Sequence, residues 1–289
     1  MQIKSLLPVL YRQKDKWWLL VWLFTIFLLW SWDFFLLNTP ARRQLEEGSF
    51  NTLFSALLVV IFTLIIAWLV ANALIFLQRR KLKSVYWLLT FSLNLIRSIP
   101  QIVGILFVYI WITFLLTSGS LSGTIAVIFI LSAGISLFIF PELVDLMLER
   151  IAYFRKLDFY NAMLVCGISE IRIINFNILW KNSRIHIMNK LIAVFGMAVF
   201  LQCSIDFIVS VGLSTEVSAL NLPVSLGSLL AKIDSKQDIL AIGYSITHPA
   251  YIPQLFLKHL QGISSAFLIV FSLLSIFKIS NGFAERHRL

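Results

Sequence analysis

Residues 157–182 read LDFYNAMLVCGISEIRIINFNILWKN, the longest polar-containing interruption in an otherwise apolar chain. Phe159, Ala162 and Cys166 recur at helical spacing, Gly167 ends that helix, and Ile171, Ile174 and Ile178 resume the period. The pattern predicts two short helices joined at a glycine. An element of this kind between two membrane spans needs something to dock against, and the rest of the chain bears on what that is.

Outward from this stretch, composition narrows the class. The 289 residues are 59% hydrophobic and only 13% charged. A soluble domain cannot bury that much apolar surface, whereas a polytopic membrane protein exposes it to lipid. The formal charge of +10 would point to nucleic acid in a soluble protein. Here the basic residues sit in short loops, so a topological cause accounts for them and no nucleic-acid partner is expected. The two cysteines, Cys166 in the polar stretch and Cys203 inside a span, are not expected to pair and show no zinc-ligand spacing.

Six apolar segments are long enough to cross a bilayer, near 17–37, 52–77, 99–117, 123–143, 189–211 and 262–280. The first is too long and too rich in tryptophan for a cleaved signal peptide, so it is read as retained behind a cytoplasmic segment, 1–16. The third is preceded by 85–96, apolar on one side and separated by Pro100, which reads as an interfacial or pore-side half helix. Trp17, Trp18, Trp22, Trp30 and Trp32 gather at the two ends of the first span, where aromatic belts are expected.

Of the 24 Lys and Arg residues, all but six fall on the side that holds the N-terminus and residues 157–182. The six are Arg42, Arg43, Lys232, Lys236 and Lys258 on the other side, and Arg97 within the membrane. The bias predicts an all-α, six-span protein with both termini and the loop about 144–188 in the cytoplasm. Outside lie a short loop, 38–50, and a long one, about 213–261, punctuated by Pro223, Pro249 and Pro253. A loop of that length is expected to fold back over the outer mouth of a pathway.

The sequence holds no GxxxxGK[ST] loop, no HExxH, no GxSxG and no His/Cys cluster, and its four histidines are far apart. Catalysis by this chain and a metal site are not expected.

With the stretch on the cytoplasmic side, its residues resemble the EAA loop of permease subunits of binding-protein-dependent ABC importers. Asn161-Ala162-Met163 stands at the Glu-Ala-Ala triplet, Gly167 falls three residues later, and Leu179-Trp180 occupies the Leu-Pro position. Two further places are similar to the oligopeptide/dipeptide/nickel branch, Asp206–Gly212 closing the fifth span and Leu222-Pro223-Val224-Ser225-Leu226-Gly227 in the outer loop, and Arg97-Ser98-Ile99-Pro100 before the third span is similar to the Ile-Pro entry of several importer branches. The C-terminal Phe277, Asn281, Gly282 and Arg286 resemble the way that branch closes. The short 38–50 loop departs from the branch, and phosphonate-type permeases are the alternative within the superfamily.

The resemblance implies the type I importer permease fold over 17–289 and a place in a heteromeric complex of a bacterial-type inner membrane. Its partners would be a second permease, two ABC ATPases that bind the ATP and magnesium, and an extracytoplasmic solute-binding protein; this chain would hold no cofactor. Coupling to the ATPases is expected at Asn161, Ala162, Gly167, Glu170, Arg172 and Leu179. Two helices joined at a glycine in the left-handed conformation make a rigid elbow, and an elbow seated in an ATPase groove would carry rigid-body motion into the membrane. Glu170 suits the dipole of the second helix, while Arg172, Lys181 and Arg184 are available to acidic groups of a partner.

Ionisable groups within spans are costly and tend to face a cavity or a partner. Arg97 and Asp206 are therefore placed, with Pro100, Gln202 and Ser210, along the translocation path or the permease interface; Asn94 and Ser204 would add polar lining. The rival from another class is an ATPase-independent channel or scaffold, with 157–182 lying on the lipid surface.

Overall fold

The computed structural model describes residues 13–80, 82–212, 222–231, 240–241, 243–254 and 260–287. Most of the predicted 1–16 segment and much of the 213–261 loop, with Lys232, Lys236, Lys258 and His259, lie outside them. The structure is 90% helix with no strand among the described residues.

Helix α1 (Lys14–Leu36) is followed by α2 (Thr39–Arg79), whose start is set by Asn38: its side chain accepts the Ala41 amide at 3.0 Å, and Pro40 lies in the first turn. Next come α3 (Lys83–Ser98) and α4 (Gln101–Thr117), set at 96° to each other. Pro100 cannot donate to a continuing helix and holds Ile99 in extended backbone, so the chain breaks there. Helix α5 (Thr124–Arg155) runs through Pro141. The amphipathic elbow follows, with α6 (Asp158–Val165), a single turn α7 (Glu170–Arg172) and a π-helix, Ile173–Asn182. Helix α8 (Arg184–Gly212), the short α9 (Leu226–Ala231), a 3-10 turn (Pro249–Tyr251) and α10 (Leu260–His287) complete the described chain.

Helices α1, α2, α5, α8 and α10 are each long and apolar enough to cross a membrane, and the bent pair α3–α4 makes a sixth candidate. The chain is an all-helical, multi-pass membrane protein. Only 6% of the apolar window of α1 is buried in the protein, against 56% in α5, so α5 is central and α1 peripheral. Helix α1 is fastened to α10 along its length: Asp15 pairs with Arg286 and Lys14 with Glu285, Trp22 donates to Ser272 at 3.0 Å, and Ser264 donates to Asp33 at 2.8 Å. Trp22 thus faces the protein, and Trp30 donates to Glu46 at 2.9 Å. Trp17, Trp30 and Trp32 keep exposed rings, as a belt requires.

The core divides into two clusters. One, built by α2, α4, α5, α8 and α9, includes Val59, Ile105, Tyr109, Ile135, Ile205 and Leu229. The other, toward the elbow, joins Ala71 and Leu74 of α2, Leu143 and Met147 of α5, and Ile187 and Leu191 of α8 to the elbow itself.

Candidate functional site

The elbow is built on Gly167. Helix α6 ends at Val165, and Gly167 turns the backbone at φ +78°. Its amide donates to the Leu164 carbonyl at 3.0 Å and that of Ile168 donates to Met163 at 3.1 Å, the paired bonds of a Schellman ending. Met163 and Ile168 both pack on the elbow-side core, the apolar contact that accompanies this motif. A Cβ at Gly167 would meet nothing within 4 Å, so only the left-handed backbone restricts the position.

The second arm differs from the expected α-helical period. Ile171 is exposed, while Ile173, Ile174, Ile178 and Leu179 are buried. The buried residues repeat at intervals of five, the spacing that i→i+5 hydrogen bonding produces in a π-helix. The π register ends where Ser183 donates to the Ile178 carbonyl at 2.8 Å. The spacing of the first arm left its facing open. Phe159, Ala162 and Cys166 share a face, but that face points outward, and Tyr160 is the residue that enters the core.

Glu170 locks the arms to the spans. Its carboxylate accepts from Arg155 at the end of α5 at 2.6 Å and from the Tyr160 hydroxyl at 2.8 Å, and Arg79 at the end of α2 stands at 3.5 Å. With only 19% of its side chain exposed, burial alone would raise its carboxyl. Hydrogen bonds from Tyr160 and Arg155, with the charges of Arg155 and Arg79, outweigh burial and hold it below its ordinary value. The Tyr160 phenol is pushed up, by burial first and then by the carboxylate it serves. Beside this hub, Asn72 of α2 and Asn175 of the π-helix exchange reciprocal amide bonds at 3.0 and 2.8 Å.

The expected coupling residues therefore occupy different positions. Asn161, Ala162, Gly167 and Arg172 are exposed on the elbow. Leu179 is fully buried and Glu170 faces the spans, so these two shape and hold the elbow without reaching its outer surface. That outer surface carries Leu164 and Val165, the latter 88% exposed. Trp180 is exposed as well.

Within the membrane-length helices, Arg97 and Asp206 lie apart. Arg97 pairs with Asp145 of α5 and donates to Asn94 at 2.9 Å. One helical turn away, Gln101 donates to Glu142 at 3.0 Å, and Lys190 of α8 pairs with the same carboxylate at 2.7 Å. The result is a two-rung polar ladder across the α3–α4 break, next to Pro141 and Pro100. The Asp145 side chain is 57% exposed.

Asp206 is buried in the other half of the bundle and accepts from the Tyr109 hydroxyl. Gln202, one turn before it, is buried with its Oε1 unpartnered. Ser204 and Ser210 are partly buried. Against this helix lies α9, one of the described parts of the 213–261 segment. The Leu226 amide donates to Thr52 Oγ1 at 3.1 Å, Asn51 donates to the Val224 carbonyl at 2.9 Å, and Leu226 and Leu229 are buried in the core. A Cβ on Gly227 would lie 2.3 Å from the Cys203 carbonyl oxygen, so α9 packs backbone to backbone on α8. Both cysteines are free, Cys166 exposed and Cys203 buried.

Glu142, Asp145, Lys190 and Tyr109 did not emerge from the sequence as site residues. The signal available was the Pro141-Glu142 and Asp145 spacing, which sets both carboxylates on one face of a helix; their basic partners come from other helices.

No family model matches this chain, and no curated protein is significantly similar to it.

Proposed function

We propose that the protein is a permease subunit of an ATP-driven ABC importer, with the elbow as its coupling element. The observation that carries this reading is the elbow's construction. Its inner side is welded to α2, α5 and α8 through Tyr160, Ile173, Ile174, Ile178 and Leu179, and Glu170 ties it to the ends of two spans. Its outer side presents exposed apolar side chains, Phe159, Leu164, Val165 and Ile171. A rigid knob with an exposed apolar tip, fixed to three spans, suits transmission of a push from a docked partner into the membrane.

On this reading the elbow, both termini and the α3 belt face the cytoplasm of a bacterial-type cell, with the membrane domain in the inner membrane. Two ATPase subunits bind ATP and magnesium, and their closure moves the elbows of this chain and a second permease together. The polar ladder of Arg97, Asp145, Gln101, Glu142 and Lys190 lies along the path or the permease interface. Asp206, Gln202 and Ser210 lie near the outer end, under α9, where an extracytoplasmic solute-binding protein delivers the solute. Resemblance to the peptide branch supports a peptide-type solute, and alternating access is the mechanism.

The glycine tests this reading. In cells carrying the whole system, Gly167→Val is expected to lower ATP-driven uptake roughly tenfold, since a left-handed β-branched residue costs ~1–2 kcal/mol or more. Membrane levels of the chain should stay unchanged, because nothing clashes with the new side chain. Gly167→Asn, which tolerates the left-handed region, is expected to keep most of the uptake. Full uptake by the valine variant in an assembled complex would overturn the coupling role.

A further inference from the structure

The run Arg79-Arg80-Lys81-Leu82-Lys83 orients the chain in the membrane, yet the elbow uses only Arg79 of it; Lys81 lies outside the described residues. Helix α3 leaves this corner perpendicular to α4 and lies across the bundle at the level of the elbow-side core, into which it buries Leu93. Directly opposite Leu93, an outward ridge of Trp87, Leu88, Phe91 and Leu95 is exposed, Trp87 at 70%. At the basic end of the ridge, Leu77, Gln78, Lys83, Tyr86 and Trp87 line a cavity of about 220 Å³. Arg80, two residues on from Gln78, holds its guanidinium 5.1 Å from the Phe76 ring centre. From 77 to 98 the chain carries five basic residues and no acidic one: Arg79, Arg80, Lys81, Lys83 and Arg97.

We infer that the α2–α3 corner is a binding site for an anionic phospholipid of the leaflet on the elbow's side. A helix lying across the spans with an aromatic ridge outward sits at the boundary of headgroups and acyl chains. A cluster of cations at the membrane end of a span recognises anionic headgroups, each contributing a comparable share. The phosphodiester meets the Lys83 ammonium in the cavity, with the Gln78 amide as a further donor and Arg80 alongside. The acyl chains run along Trp87, Leu88 and Phe91. Arg79 and Arg97 are answered by Glu170 and Asp145; a zwitterionic headgroup would bring its own cation against Arg80 and Lys83. The inference needs only that the chain crosses a membrane, and stands independently of the importer reading.

The test uses the full chain reconstituted in nanodiscs of phosphatidylcholine with increasing phosphatidylglycerol, with the lipids retained on detergent extraction counted by native mass spectrometry. Phosphatidylglycerol is expected to be retained in preference to phosphatidylcholine. In the double variant R80Q/K83Q the preference should fall by about fivefold for each charge removed. The double variant K156Q/K278Q removes the same charge at exposed positions elsewhere and should keep the preference. Three results would overturn the site: no preference in the wild-type chain, equal loss in both double variants, or displacement of the retained lipid by millimolar inorganic phosphate, which would mark a site for a soluble anion. Disappearance of the preference on assembly with a second membrane subunit would assign the ridge to that subunit instead.

Discussion

Glu170 is the residue on which the elbow's geometry turns, because it is the one acceptor shared by Arg155, Tyr160 and Arg79. Its folded carboxyl lies below the ordinary value of 4.5. The native state therefore binds fewer protons than the unfolded chain over that interval, and the stability contributed is complete above the ordinary value and lost as pH falls through the folded one. Protection factors of the backbone amides across residues 158–182, exchange being normalised to its intrinsic rate at each pH, should thus be high at neutral pH and fall below about 4.5. Glu170→Gln should quicken exchange already at neutral pH, by the loss of about 1–3 kcal/mol of charged hydrogen bonding, and should flatten the pH dependence. Unchanged protection in that variant would remove Glu170 from its structural role. The sequence placed Glu170 correctly at the start of the second arm but assigned it to the helix dipole. Its partners lie 91, 15 and 10 residues away along the chain, and no local pattern announces them.

Among the elements, the glycine turn and the break at Pro100 were legible in advance because each rests on a local backbone rule: Gly167 supplies the left-handed φ, and Pro100 lacks the amide that a continuing helix needs. The facing of the two arms was not legible. A stripe at helical spacing says which residues share a face but not whether that face turns in or out, and here Phe159, Ala162 and Cys166 turn out. The π-helix also escaped, since its five-residue interval imitates an α-period when only Ile174 and Ile178 are compared. The 213–261 segment was expected to fold back over the mouth of a pathway; of its described residues, those of α9 pack on α8. Because Gly227 meets the α8 backbone directly, Gly227→Val should lift α9 from Cys203. Labelling of the purified chain with a hydrophilic maleimide should then modify Cys166 alone in the wild type and both thiols in the variant. A Cys203 that stays protected in the variant would mean that α9 is held by other contacts.

At the scale of the molecule, apolar length alone located five long helices and the bent α3–α4 pair, but not their full extent: the expected 38–50 loop is the first part of α2, which begins at Thr39, and α5 runs on to Arg155. The relation between spans was not legible either, and it is there that the polar groups find partners: Arg97 with Asp145, Glu142 with Lys190, and Asp206 with Tyr109. The whole is a peripheral α1 fastened to α10, a central α5, and an elbow fixed to three helices with an exposed apolar tip. Such a shape calls for a partner at the tip, and the native thiol of Cys166 stands there, exposed, while Cys203 is buried. A photo-cross-linker attached to Cys166 in native membranes is the most direct probe of the proposed coupling. The account predicts a cross-link to an ATP-hydrolysing subunit, in yield that changes between ATP-bound and nucleotide-free membranes. Cross-links to lipid alone, with the ATPase present and the elbow folded, would contradict it.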